Sequence, residues 1–276
     1  VDPLLTGAKV LASEESKNLL GRIFGPAADV VGEHLATLLK ARVDNSHKIA
    51  QAASRRLRDD VDLQPVPMRV ALRALDEGSY SDDEVVTEYV GGIIASSRMA
   101  ANDSDIANTY VSMVSRLSVR HLMIHYHVYH AIKSAAGSEW INVFDGEEVE
   151  QSLTIHISAG ELERVSLAVM TDDDADEDTS FFSALKYLVR EGLMEVRSGG
   201  TLNHLRKTYL TAPSAGIVVL PTATGIELFM WGLGRGDLGV AEYFASPAES
   251  LIITGIDAPA RGTSISPAIG LEEVGR

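Results

Sequence analysis

The sequence predicts a mainly α-helical protein that ends in a small α+β unit. Three observations carry that prediction. Apolar residues recur at helical spacing through most of the first 137 positions. Capping residues and glycines punctuate that stretch into short helices. Beyond position 157 the rhythm changes, and extended runs such as LMEVR (193–197) and YLTAPSAGIVVLP (209–221) separate the helical segments.

Composition sets outer limits. A chain of 276 residues with 45% hydrophobic content has enough apolar material for a large core, and wholesale disorder does not fit it. There is no cysteine, which excludes disulfides, thiolate metal sites and thiol catalysis. No run of about eighteen uncharged apolar residues offers a transmembrane helix. The first residues, VDPLLTGAKVLASEES, lack the basic-then-apolar order of a secretion signal, so the expected location is cytoplasmic. The formal charge of −15 repels nucleic acid at long range without forbidding a local basic patch. Acids concentrate in DDDADED (172–178), whereas Lys40, Arg42, Lys48, Arg55, Arg56 and Arg58 make the 40–58 stretch basic; the expected reading of that stretch is a solvated helix face, with domain docking or a partner surface as the alternative.

Taken in order, residues 1–24 form a lead-in, and a long helix starts near Pro26, since proline suits a first helical turn. Phe24, Ala27, Val31, Leu35 and Leu38 fall on one face of it, and Asp29, Glu33 and Lys40 lie opposite. Gly25, Ala28, Gly32 and Ala36 add a small-residue stripe suited to close helix packing; the alternative is a membrane-inserting helix. Pro65 and Pro67 mark a boundary. A short helix through Val70, Leu72 and Leu75 then ends at Gly78, expected in a left-handed cap. Ser81 with Glu84 predicts a capping box for the next helix, and Asp103 to Asp105 and Ser118 predict two further starts. Together these define a helical bundle over 25–137, followed by an acidic linker over 138–156.

In the final unit Ser158 caps one helix, and Thr179 or Ser180 starts another that Gly192 ends; Thr222 caps a third. Helix, helix, strand, loop, strand, helix is the order of a winged helix, expected over 157–236. The remaining 237–276 segment, rich in Gly, Pro, Ser and Ala, is expected to be a poorly ordered tail, or one ordered only by docking onto the body. It begins beside Arg235-Gly236-Asp237, whose integrin-ligand letters are read as chance.

Candidate chemistry is sparse. His121, His125, His127 and His130 crowd one helix, and the first two are a turn apart, as zinc ligands are. Leu122 stands where an H-E-x-x-H motif needs glutamate, and His127 points to another face. A structural role is therefore expected, with no metal or cofactor site assigned. Nucleophile-elbow, Walker A and Rossmann fingerprints are absent, and the acids of SDDE and DDDADED suit helix starts, so no catalytic residue is assigned. A winged helix would expose Ser183, Lys186, Tyr187 and Arg190 on one helix face, with Arg197, His204, Arg206 and Lys207 from the loop. Of these, Lys186, Arg190, Arg197, Arg206 and Lys207 are the candidate contacts to nucleic acid or a partner.

Three stretches carry a resemblance: GPAADVVGEHLATLLKARVDNSHKIAQAA (25–53), QPVPMRVALRALDEGSYSDDEVVTEYVGGIIAS (64–96) and YVSMVSRLSVRHLMIHYHVYHAI (110–132). The Gly-Pro-Ala helix start, the proline-containing approach to a short helix, the Ser-x-Asp-Asp-Glu start and the Leu-Ser turn into an apolar helix resemble the bacterial Abi-alpha (abortive-infection alpha) family. LPTATGIELF (220–229) and the LVREGLM pattern (188–194) extend the resemblance to about Leu233. VGGIIASS (90–97) departs from it, because a helix rich in Trp, Leu, Ala and Asn is more usual there. The resemblance implies a non-enzymatic, cytoplasmic protein of bacterial phage defence acting through contacts with an unidentified protein partner. The alternatives are a winged-helix DNA-binding transcriptional regulator and a membrane-perturbing effector.

Overall fold

A computed structural model of the chain describes residues 28–58, 64–99, 104–137, 140–143, 145–169, 177–253 and 259–266. Mainly helical, it carries a small four-stranded antiparallel sheet toward the C-terminus. The helical body comprises α1 (Ala28–Arg56), α2 (Met68–Gly78), α3 (Glu84–Met99), α4 (Ser104–Val114) and α5 (Val119–Ala136). After it come α6 (Gly146–Leu153), β1 (Ile155–Ser158), α7 (Ala159–Val169), α8 (Glu177–Arg190), β2 (Met194–Gly200) and α9 (Leu202–Leu205). The order closes with β3 (Gly216–Pro221), α10 (Ala223–Gly232), α11 (Val240–Ala245) and β4 (Thr263–Ser264).

Several starts and stops are local chemistry. The Ser118 hydroxyl accepts the backbone N–H of His121, and His121 Nδ1 accepts the N–H of Ser118, so a histidine completes this capping box. Ser158 accepts from the Glu161 N–H and Thr222 from the Gly225 N–H, as expected. Gly192 ends α8 at φ +69°, a left-handed geometry that costs glycine little. Three expectations are corrected. Asp83, whose carboxylate accepts the Val85 N–H, caps α3 in place of Ser81. Gly78 stays helical, and its lack of a side chain serves packing, since a Cβ there would lie 2.7 Å from Ile49 Cδ1. The linker over 138–156 contains α6, capped by Asp145, whose carboxylate accepts from Glu147 and Glu148. Pro26, the small-residue stripe, the Asp103 start and the Asp172 to Asp178 run fall wholly or mostly outside the described residues.

At the centre lies α3, buried along nearly its whole length. The departure at VGGIIASS has its reason here. A Cβ on Gly91 would meet the Ala52 side chain at 2.6 Å, and one on Gly92 would lie 1.8 Å from the carbonyl oxygen of Gly232. The two glycines therefore let α1 and α10 approach α3 at backbone distance. On α1 the register is fixed at its C-terminal half, where Ile49, Ala52 and Ala53 are buried; Leu38, expected on the apolar face, is exposed.

The sheet runs in the order β2-β3-β1-β4, with Ile155 opposite Val219 and Ser158 opposite Gly216. A bulge between Val196 and Ser198 interrupts the β2–β3 register. β4 reaches the free edge of β1 from the C-terminal segment, pairing Ser264 with Ile155. With Tyr243 and Phe244 of α11 buried, this part of the tail is ordered by docking on the body. Among the described residues the main apolar core joins residues of α1 to α5 with those of β1, β3, α8, α10 and α11, and a smaller cluster gathers Leu205, Tyr209, Ala212, Val218 and Ile265.

Candidate functional site

α8 has more apolar residues than one buried face needs. Phe181, Ala184, Leu185 and Leu188 turn into the core at helical spacing. Phe182 and Val189, seven residues apart, lie on the neighbouring face and are 47% and 39% exposed. They form one lip of an open groove of about 740 Å³ between α7, α8 and the turn end of the β2–β3 hairpin. Val196 of β2, 36% exposed, lines the opposite side, while Leu185 and Ile217, nearly inaccessible, belong to the core beneath. Among the described residues lining it, Lys186 alone is charged. Gly199 and Gly200 of β2 and Gly216 of β3 line the turn end of the groove.

The five cations expected to contact phosphate or a partner do not converge. Lys186 lines the groove. Arg190, on the last turn of α8, lies over the Tyr187 ring at 4.5 Å, with Nη2 3.7 Å from Glu191. Arg197, on the bulge of β2, pairs with Glu195 at 3.2 Å. Arg206 Nε donates to the Ala212 carbonyl, and Lys207 is exposed in the turn after α9. Ser183 and His204 are exposed too, whereas Tyr187 is half-buried and stacks on His121 with ring centroids 4.3 Å apart.

The histidines of α5 have separate structural partners. His125 is inaccessible, with Nε2 3.2 Å from the Gly225 carbonyl and Nδ1 2.7 Å from the Tyr89 hydroxyl. A carbonyl can only accept, so Nε2 carries the proton and Tyr89 donates to Nδ1. Burial pushes this imidazole down to about 3, against a smaller upward push from the Gly225 bond. His127, buried elsewhere, accepts the Ala260 N–H at Nδ1, and burial, with Arg164 adding repulsion, lowers it to about 4. His130 bonds Ser250 and Ser134. Among the described residues no group of three or more His, Asp or Glu side chains is placed to hold a metal ion.

The basic stretch of α1 was expected to be a solvated face; the structure turns much of it inward. Arg55 and Arg56 both bind the carboxylate of Glu88, a buried residue of α3, and Arg56 also donates to the Leu233 carbonyl. Arg58 pairs with Asp237 at 2.9 Å, and Arg42 holds Asp76 and Ser79. Arg235 binds Glu249 and faces Asp237, so the Arg-Gly-Asp letters belong to a half-buried ionic cluster. At the far end of α5, Lys133 is buried and donates to the carbonyls of Gly137, Phe244 and Ser246.

The groove lips were not assigned from sequence. Their one signal was the Phe181-Phe182 pair followed by Val189, an apolar arc too wide for a single face. Among the described residues no helix is long and apolar enough to cross a membrane. No protein-family model, no curated protein and no solved structure matches this chain.

Proposed function

We propose that this chain is a non-enzymatic, cytoplasmic, abortive-infection-like protein of bacterial phage defence that acts through contacts with another protein. The defence setting comes from the Abi-alpha resemblance of the three helical stretches. The observation that carries the contact reading is the outer surface of the helical body. Val70, Ala74 and Gly78 fill the inner face of α2, while Met68 and Leu72, one turn apart, point outward at 72% and 57% exposure. Leu38, Val43 and Tyr80 are exposed as well, so among the described residues five of the twelve large exposed apolar side chains belong to α1, α2 and the turn after them. Apolar groups left outward in this concentration suit a protein interface. Glu88, His125, His127 and Lys133, the buried titratable groups of the same body, are engaged internally, which favours a contact role over catalysis.

The segment from α6 to β3 reads as a winged-helix unit set on a helical bundle. Its helix, strand, helix, helix, strand, short helix, strand order, with β3 between β1 and β2, supports that reading. It moves the start of the unit from residue 157 back to α6. Expression in a phage-sensitive host tests the function. The wild-type chain is expected to reduce plaque formation relative to empty vector, and Met68→Asp/Leu72→Asp is expected to abolish the reduction with the fold intact by circular dichroism. Unchanged plating across a broad phage panel overturns the defence reading. Sequence-selective retardation of DNA, lost in Arg190→Ala and Arg206→Ala, would favour the regulator instead.

A further inference from the structure

We propose that the groove between α7, α8 and the β2–β3 hairpin is a binding site for a single-chain amphiphile with an anionic head, a medium-chain carboxylate. The inference is independent of the protein-contact reading. Its volume of about 740 Å³ lies within the roughly 300–1,000 Å³ typical of small-molecule sites. Its lining has the composition such sites use, an apolar wall with few polar groups. Leu185 and Ile217 supply a dry floor, and Phe182, Val189 and Val196 extend the apolar wall outward. Seven residues separate Phe182 from Val189, which sets them about 10 Å apart along the helix axis. That extent suits an extended alkyl chain of about eight to ten carbons, since each C–C bond advances such a chain by roughly 1.3 Å.

Charge selects the head group. Lys186 lies between Phe182 and Val189 in sequence on α8, and its ammonium has no ion-pair partner among the described residues. A lysine can lay its methylene stem along an apolar wall and keep its ammonium at the mouth. A carboxylate there gains a counter-charge, a neutral alcohol does not, and an alkylammonium is repelled. Thr201, exposed at the turn end, accepts the His204 N–H as the cap of α9 and can donate its O–H as a second polar contact.

The test is calorimetric titration of the full chain with octanoate, decanoate and dodecanoate below their micelle concentrations, and with decanol and decylammonium. One site per chain is expected, with Kd tightening about fourfold per added methylene, the ratio that about 0.8 kcal/mol per buried CH₂ gives. Decanoate is expected to bind more tightly than decanol, and decylammonium to bind most weakly. Lys186→Met should weaken decanoate about fivefold and leave decanol unchanged. Val189→Trp or Val196→Trp, at exposed positions on opposite walls, should each weaken every probe at least tenfold while the unfolding transition stays in place. Many weak sites, no dependence on chain length, or full affinity in both tryptophan variants overturns the site. Equal loss of decanoate and decanol in Lys186→Met overturns the choice of an anionic head.

Discussion

Helices α5 and α8 pack against each other, yet they treat polar and apolar groups in opposite ways. α5 carries four histidines, two of them inaccessible, and a buried lysine; each is held by a hydrogen-bond partner on another element or in its own helix. α8 carries a phenylalanine and a valine that remain open to solvent beside a groove. The residue types that suggest chemistry are therefore the scaffold, and those that suggest core form the open surface. Leaving a buried polar group unpaired costs more than its bond contributes, so removing any of these partners is expensive. The inward network around α5 and α3 should consequently be sensitive to single substitutions, and the outer face of α8 tolerant of them.

The largest effect is expected at Glu88. Its carboxylate is held by Arg55 and Arg56, and the Arg56 side chain is itself only 10% exposed. Glu88→Ala leaves that guanidinium buried with the Leu233 carbonyl as its remaining partner, and is expected to destabilise by about 3–5 kcal/mol. Urea unfolding of the two proteins reads this directly. A loss below about 1 kcal/mol would show that the pair is solvated and would weaken the contrast with α8.

Acid titration probes the same network without a substitution. His125 and His127 are held down at about 3 and about 4 by burial, against an ordinary value of 6.5. The unfolded chain therefore binds protons that the folded one refuses once pH falls below about 6.5. Their contribution is fully present above that value, is lost as pH falls through the folded values, and levels off below about 3. At pH 5 each histidine lowers stability by about 2 kcal/mol relative to pH 7.5. Unfolding midpoints measured between pH 5 and 7.5 should fall steadily; a flat profile would mean that the rings open to water.

Legibility in the sequence followed the range of the interaction. Ser118, Ser158, Thr222 and Gly192 were readable because a cap is settled within four residues. The start of α6 was readable too, since Asp145 with Glu147 and Glu148 is a helix-start pattern, but its acidity and brevity gave it the look of a loop. The fate of the basic stretch was not readable, because Arg56 and Arg58 find partners 177 and 179 positions away. Nor was the groove, whose lining comes from four elements and whose character depends on what those elements leave uncovered. Gly91 and Gly92 looked like weak helix formers, and only the approach of Gly232 and α1 shows their use.

That approach gives the third expectation. Gly92→Ala places a methyl 1.8 Å from the Gly232 oxygen, so α3 and α10 must separate along a buried contact. Backbone on one side of the clash leaves no flexible side chain to yield, and a loss of about 3 kcal/mol is expected in spite of alanine's better helix propensity. Thermal unfolding would check it, and an unchanged midpoint would show that the crossing is looser than these distances require.

The smallest effects belong to the outer face of α8 and the adjoining strand. Arg190 is 69% exposed and 3.7 Å from Glu191, and Arg197 is 40% exposed beside an equally open Glu195. Exposed pairs of this kind exchange hydration for a screened attraction and lose side-chain freedom in doing so, so the net gain is small. Arg190→Ala and Arg197→Ala are each expected to change stability by less than about 0.5 kcal/mol, against several for Glu88→Ala. Measuring all three by urea unfolding in low salt and in 0.5 M salt sharpens the contrast. Salt should erase what little the two surface pairs contribute and leave most of the Glu88 effect, since a buried pair is screened far less. A salt-insensitive loss of more than about 1 kcal/mol at Arg197 would mean that the bulge of β2 is held by its ion pair, and would place the wing with the rigid scaffold.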